Sequence, residues 1–179
     1  MGGPKALVEL DGEPLVRRAL RVLADGGCTP LVVVLGAKAD EVRDVLPSGV
    51  RAVVAEDWAE GMGASLRAGL AALEDISPAP EAALVHLVDL PGVTAEAIAR
   101  LAERSAPGVL LRAAYAGRPA HPVLIGRSHW SGVGSAAMGD AGARGYLAGH
   151  PDLGLVECGD LADPDDVDTP EDLARFRPR

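Results

Sequence analysis

Residues 83–91 read Ala-Leu-Val-His-Leu-Val-Asp-Leu-Pro, and this segment is the most informative one about the fold class. The run from Ala83 to Val88 is apolar except for His86, which is typical of a strand buried on both faces, as in a parallel sheet covered by helices. Asp89 follows directly, and Pro91 indicates a turn. Ligands of open α/β sheets bind beyond the carboxyl ends of the strands, so Asp89 is a candidate site residue.

The rest of the chain alternates between strand and helix patterns. The predicted strands are 31–35, 51–55, 83–88, 109–111, 122–125 and 153–157, and the predicted helices are 14–24, 39–46, 65–73, 95–104, 141–148 and 170–176. Continuous apolar strands alternating with amphipathic helices predict an α/β fold with a mainly parallel sheet and helices on both faces.

The composition excludes several classes of partner. The chain has 179 residues, with 17 Lys plus Arg against 26 Asp plus Glu, so its net charge is −9. This balance argues against nucleic-acid and anionic-membrane binding, which need clustered cations. No apolar run approaches the roughly 20 residues of a spanning helix. The two cysteines, Cys28 and Cys158, fit small buried hydrophobes in a reducing compartment. We therefore expect one soluble cytoplasmic domain over residues 1–179.

Three carboxylates are candidate magnesium ligands. Asp89 ends a strand, and Asp166 and Asp168 lie on one side of an extended segment before the last helix. Mg²⁺ usually takes one or two carboxylates and completes its shell with phosphate oxygens and water. The alternatives are a turn or capping role for Asp89 and a solvated face for the acidic run at 163–172.

Two glycine-rich stretches are candidate phosphate contacts. Gly61 and Gly63, followed by Ser65, open a helix, where backbone N–H groups suit an anion or a close backbone approach. The stretch Gly2-Gly3-Pro4-Lys5 adds a cation to a second glycine pair. Neither is a P-loop, since no Gly-Lys-Ser/Thr follows. The alternative for Lys5 is an ordinary surface lysine.

Further candidates lie in the second half of the chain. Arg118 and His121 stand in a constrained loop between two predicted strands, and Asp140 stands at an N-cap position with Arg144 one turn later. A cap and an i,i+4 pair are the structural alternative to substrate binding for the last two. His86, inside its apolar run, is expected to be a hydrogen-bonded core histidine.

Six of these segments, in order along nearly the whole chain, resemble the MobA-like NTP transferase family, especially its molybdopterin cytidylyltransferase branch. They are 1–5, 58–66, 88–91, 117–122, 139–144 and 166–172. The resemblance implies a Rossmann-like fold of the nucleotide-diphospho-sugar transferase type. It also implies a Mg²⁺-dependent reaction in which a substrate phosphate attacks the α-phosphorus of a nucleoside triphosphate and pyrophosphate leaves. CTP as the nucleotide, the molybdopterin cofactor as the acceptor and a molybdoenzyme as a candidate partner are implied in the same way.

The resemblance assigns roles residue by residue. Lys5 and Asp89 would be catalytic, Lys5 by neutralising charge on the triphosphate. The nucleotide-binding residues would be Gly2, Gly3, Lys5, Gly61, Gly63 and Ser65. The residues facing the acceptor would be His121, Asp140 and Arg144. The metal ligands would be Asp89 with Asp166 or Asp168.

The sequence departs from the family pattern in two places. Ala120 stands where the family loop usually has glycine. The chain begins at Met1, at a point where family members have already passed an apolar strand and a Gly-rich loop. We therefore expect the native protein to carry about 15–20 further residues ahead of Met1, by the length of a strand plus a loop. The alternative is a short protein with a gap in its sheet.

Two other classes of function stay open. Some relatives are described as nicotine blue oxidoreductases, although this sequence holds no complete dinucleotide fingerprint. A catalytically silent nucleotide-binding module is the third reading. The sequence does not decide between CTP and GTP, nor does it name the acceptor.

Overall fold

A computed structural model describes residues 3–177, and strands and helices alternate along it. The strands are β1 (Glu9–Leu10), β2 (Glu13–Pro14), β3 (Val32–Leu35), β4 (Arg51–Val54), β5 (Ala82–Val85), β6 (Leu110–Tyr115), β7 (Arg118–Gly126) and β8 (Gly154–Glu157). The helices are α1 (Leu15–Asp25), α2 (Ala39–Arg43), α3 (Met62–Glu74), α4 (Ala95–Ala102), α5 (Trp130–Ala136), α6 (Arg144–Leu147) and α7 (Pro170–Arg175). The predicted α/β class is confirmed.

The larger sheet has the strand order β5-β7-β6-β8 and mixes both strand directions. β7 is antiparallel to β5 and to β6, whereas β6 and β8 are parallel. The antiparallel pair arises because Ala116 and Gly117, both with positive φ, close a tight hairpin between β6 and β7. The turn therefore precedes Arg118, which belongs to β7.

Helices cover both faces of this sheet, as predicted. On one face Leu124 packs with Ile98 and Leu101 of α4 and with Val22 of α1. On the other face the neighbouring side chains of β7 pack with α3, α5 and α6; Trp130 is the largest of the fully buried side chains. The alternation along β7 places the core in two layers, one on each side of the strands.

A gap separates this sheet from the parallel pair β3–β4. Within residues 3–177, the second edge of β3 and the second edge of β5 each lack a partner strand. A cavity of about 780 Å³ lies there, and apolar side chains of α1, α3, β3 and β5 line most of it.

Further elements, besides β6 and β7, differ from the predictions. β5 ends at Val85, the last residue that pairs with β7, so Asp89 lies in a turn beyond the strand. The helix predicted at 141–148 is the shorter α6, because Gly142 with φ of 53° separates it from a preceding 3₁₀ turn. α5 was not predicted; two glycines within it lower its helix propensity. None of the described helices has the length and apolar character needed to cross a bilayer.

Candidate active site

Lys5 joins two of the predicted metal ligands at the edge beyond β5. Its Nζ donates to Asp89 Oδ2 at 2.8 Å and to Asp168 Oδ1 at 2.5 Å, although the three residues are far apart in sequence. Lys5 and Asp89 are partly buried, and Asp168 is the more exposed carboxylate. The structure thus brings the two predicted catalytic residues and one predicted metal ligand to one point.

The segment that carries Asp168 is fixed to the turn that carries Asp89. The backbone N–H of Val167 donates to the Asp89 carbonyl at 3.0 Å. Val167 itself is fully buried with Leu10, Leu15 and Leu173, so the residues on either side of it point outward. This anchoring explains why a distant acidic segment meets the end of β5.

The charge of Lys5 is held by its two partners. Burial by itself would lower the pKa of the ammonium group, but the hydrogen bonds to Asp168 and Asp89 outweigh it and raise the pKa above its ordinary value. Lys5 is therefore a full cation at neutral pH, and it balances part of the negative charge at this edge.

The donor set fits a metal ion that takes most of its shell from substrate. Asp89 and Asp168 reach a common point, and carboxylate oxygens are the ligands that Mg²⁺ prefers. Asp166 is exposed and makes no ion pair with a described residue. Among residues 3–177 there is no group of three or more acidic, histidine or cysteine side chains suited to a metal. Two carboxylates completed by phosphate oxygens are the arrangement that these residues allow.

Gly61 and Gly63 allow a close contact at the start of α3. Gly61 has φ of 113°, and a Cβ there would lie 2.5 Å from Asp140 Oδ1; a Cβ at Gly63 would lie 2.7 Å from the Ala137 carbonyl oxygen. Because neither position has room for a side chain, segment 137–140 packs closely against the start of α3. Contact of either glycine with a nucleotide stays a prediction. Gly3 is exposed, and Gly2 lies outside the described residues.

His121 and Arg144, which were predicted to face the acceptor, line the cavity, as does Ser65, which was predicted to bind the nucleotide. Asp140 does not; its backbone carbonyl instead accepts a hydrogen bond of 3.0 Å from Arg144 Nη2. Asp140 lies inside the 3₁₀ turn Gly139–Ala141 and the next α-helix begins only at Arg144, so its predicted N-cap role is wrong.

Two histidines, His86 and His121, also line the cavity. Burial lowers the pKa of His121, whose Nδ1 lies 3.4 Å from the Val85 carbonyl oxygen. Burial also lowers the pKa of His86 to about 4. The prediction that His86 is hydrogen-bonded is wrong, since its Nδ1 is buried without a partner in the described structure.

Sequence reasoning missed Arg112, which lines the cavity beside His121 and Arg144. The strand predicted at 109–111 stops one residue short of it, whereas β6 continues to Tyr115. The sequence does contain a signal, because Arg112 is the one charged residue in an apolar run, and a buried charged side chain needs polar partners.

The amino-acid sequence is similar to that of a characterised protein over almost its whole length. It is 39% identical over 185 residues to nicotine blue oxidoreductase of Paenarthrobacter nicotinovorans, spanning 97% of this chain and 88% of that protein.

Solved structures are similar over almost the whole chain. Rv0371c of Mycobacterium tuberculosis superposes with a TM-score of 0.79 at 26% identity, covering 98% of this chain and 89% of that one. The same protein has been solved in complex with manganese, with a TM-score of 0.78, 26% identity and coverage of 97% and 91%. A nucleotidyl transferase from Methanothermobacter shares the fold, with a TM-score of 0.80 at 21% identity over 97% of this chain and 83% of that one.

The family predicted from the sequence motifs is confirmed by a match to the family model itself. The model of the MobA-like NTP transferase domain matches residues 1–153, most of the chain. This protein therefore belongs to the MobA-like NTP transferase family and is an enzyme of the nucleotidyltransferase type.

Proposed function

We propose that the protein transfers CMP from CTP to a phosphorylated small molecule such as the molybdopterin cofactor, releasing pyrophosphate. One observation carries the proposal: Lys5, Asp89 and Asp168 meet beyond β5, next to a cavity whose charged side chains are arginines. A carboxylate pair beside a cation suits a metal-bound triphosphate, and the neighbouring cations suit an anionic acceptor.

Mg²⁺, when bound by Asp89 and Asp168, would supply charge neutralisation at the transferred phosphoryl group. Lys5 lies between these carboxylates, so it can exchange them for triphosphate oxygens and stabilise charge that builds on the leaving pyrophosphate. The cavity residues bind and orient the acceptor phosphate, which is the nucleophile. The chain needs no nucleophile of its own, because positioning and charge neutralisation suffice for transfer.

Pyrophosphate release tests the proposal. The protein is incubated with Mg²⁺, molybdopterin and either CTP or GTP, and pyrophosphate is measured in a coupled assay, with reactions lacking acceptor as controls. We expect acceptor-dependent release, faster with CTP than with GTP. Absence of release with both nucleotides would overturn the proposal, and faster release with GTP would correct the base.

A second candidate function is supported by one relative, the nicotine blue oxidoreductase of Paenarthrobacter nicotinovorans, which is 39% identical over 97% of this chain. Oxidation of NADH or NADPH in the presence of nicotine blue separates the two. Dye-dependent oxidation without any pyrophosphate release would favour the oxidoreductase, whereas the transferase proposal predicts no oxidation above the rate without protein.

A further inference from the structure

The cavity is cationic although the protein is acidic. The chain carries a net charge of −9, yet no Asp or Glu is among the described residues that line the cavity. Its charged lining residues are Arg112 and Arg144, and its other titratable ones are His86 and His121. A cavity with this lining offers only positive or neutral polar groups to whatever enters it.

Arg112 is the more buried of the two arginines, and Arg144 is exposed. Arg112 lies in β6 opposite Val123 of β7, on the face covered by α3 and α5. It is half-buried, and its Nε makes one long hydrogen bond of 3.4 Å to the Ala120 carbonyl oxygen. Burial, followed by repulsion from Arg144, lowers the pKa of its guanidinium.

Within residues 3–177, these two arginines lack the carboxylate partner that some other arginines of the protein have. Arg100 forms a bidentate pair with Asp160 at 2.7 and 2.8 Å, and Arg21 forms one with Glu13 at 3.0 and 2.8 Å. In the described part of the chain, no carboxylate oxygen lies within 4.0 Å of Arg112 or Arg144. Arg112 and Arg144 are close enough for their charges to repel, and a bound anion would offset that repulsion.

We propose that Arg112 and Arg144 bind the phosphate group of the acceptor, with Arg112 as the residue that selects an anionic acceptor. A guanidinium presents a planar fork of donors that matches a phosphate, and a half-buried one binds it more strongly than an exposed one. The lining also includes Val88, the residue before Asp89, so the cavity that holds these arginines extends to the edge where Asp89 lies. The identity of the ligand as the acceptor rests on the proposed function; the anion site itself does not.

Inorganic phosphate is the probe for the anion site. The thermal unfolding midpoint of the full chain is measured with increasing phosphate against sodium chloride at equal ionic strength. We expect phosphate to raise the midpoint of the wild type, and Arg112→Gln to weaken the apparent affinity at least about 10-fold, the loss of one charge-assisted pair. Arg118→Gln, the same change at an exposed position of the same hairpin outside the cavity, should leave it unchanged.

Two further variants test how specific the site is. Arg112→Lys should restore part of the affinity, since a lysine keeps the charge but loses the fork. Arg100→Gln should keep the phosphate effect, because Arg100 pairs with Asp160 and lies outside the cavity lining. Equal phosphate affinity in the wild type and Arg112→Gln would overturn the proposal.

Turnover distinguishes this inference from the proposed function. If pyrophosphate is released, Arg112→Gln should raise the KM for the acceptor about 10-fold, with a smaller change in kcat and none in the KM for the nucleotide. If no nucleotide is turned over but phosphate binding still depends on Arg112, the anion site stands and the transferase proposal fails.

Discussion

Two groups of charged side chains lie side by side in this protein, and they are built in opposite ways. At the edge beyond β5, Lys5 contacts Asp89 and Asp168, so opposite charges already satisfy one another. In the neighbouring cavity, Arg112 and Arg144 have no carboxylate within 4.0 Å among residues 3–177. The carboxylates of the first group can exchange the Lys5 ammonium for a metal ion, whereas the arginines of the second group can only bind an anion. This difference is what a metal-bound triphosphate and a phosphorylated acceptor would each require.

The largest expected effect is at Asp89, where the first group has its most buried carboxylate. Asp89→Asn keeps the shape but removes the charge that holds Lys5 and would hold Mg²⁺. We expect the rate of pyrophosphate release to fall about 10³-fold, the scale of losing one charge-stabilising group. Circular dichroism should show an unchanged fold. A rate within threefold of the wild type would remove Asp89 from the site.

Adding a strand to the chain would test whether the apolar lining of the cavity and its two arginines have different roles. We expect an apolar segment of about six residues with a short glycine-containing loop, joined ahead of Met1, to pair with the free edges of β3 and β5. It should raise the free energy of unfolding in urea by about 3 kcal/mol, from burial of two or three apolar side chains. The phosphate affinity should stay within twofold. The same segment with Asp at its central positions is the control, and equal stability of both would contradict the prediction.

Asp166 and Asp168 offer a matched pair, since both were predicted as metal ligands and only Asp168 reaches Lys5. Asp168→Asn should lower the rate of pyrophosphate release about 10-fold or more at limiting Mg²⁺, the scale of a weakened ligand shell. Asp166→Asn removes the same charge two residues away and should change the rate less than twofold. The reverse ranking would mean that the segment moves when the metal binds.

The smallest expected effect is on the pH dependence of stability, through His86, which lines the same cavity as Arg112 and Arg144. The folded pKa of His86 is about 4 against an ordinary 6.5, so the unfolded chain binds more protons as the pH falls through 6.5. Stability is therefore lost on acidification, by about 1–2 kcal/mol for this group between pH 7 and pH 5. His86→Leu also removes a buried nitrogen without a partner, so it should be at least as stable at pH 7 and lose less at pH 5. Urea titrations at both pH values measure this, and equal losses would refute it.

The first group was predictable from sequence to a greater extent than the second. Asp89 follows an apolar run, and ligands bind beyond such runs in α/β sheets, so its position could be predicted from the pattern alone. That Asp168 rather than Asp166 contacts Lys5 could not be predicted, because it depends on the long-range hydrogen bond from the Val167 N–H to the Asp89 carbonyl. Arg112 was missed because only pairing with β7 and β8 extends β6 beyond residue 111. The antiparallel direction of β7 likewise depends on the turn at Ala116 and Gly117, which the pattern of apolar residues does not predict.

The most direct test of the account follows the phosphorus atoms themselves. The protein is given Mg²⁺, molybdopterin and CTP labelled with ³²P at either the α or the γ position, and products are separated by chromatography. We predict that the α label enters the acceptor and the γ label appears in pyrophosphate, with both transfers absent in Asp89→Asn. Transfer of the γ label to the acceptor, or no transfer of either label by the wild type with CTP or GTP, would contradict a nucleotidyltransferase at this site.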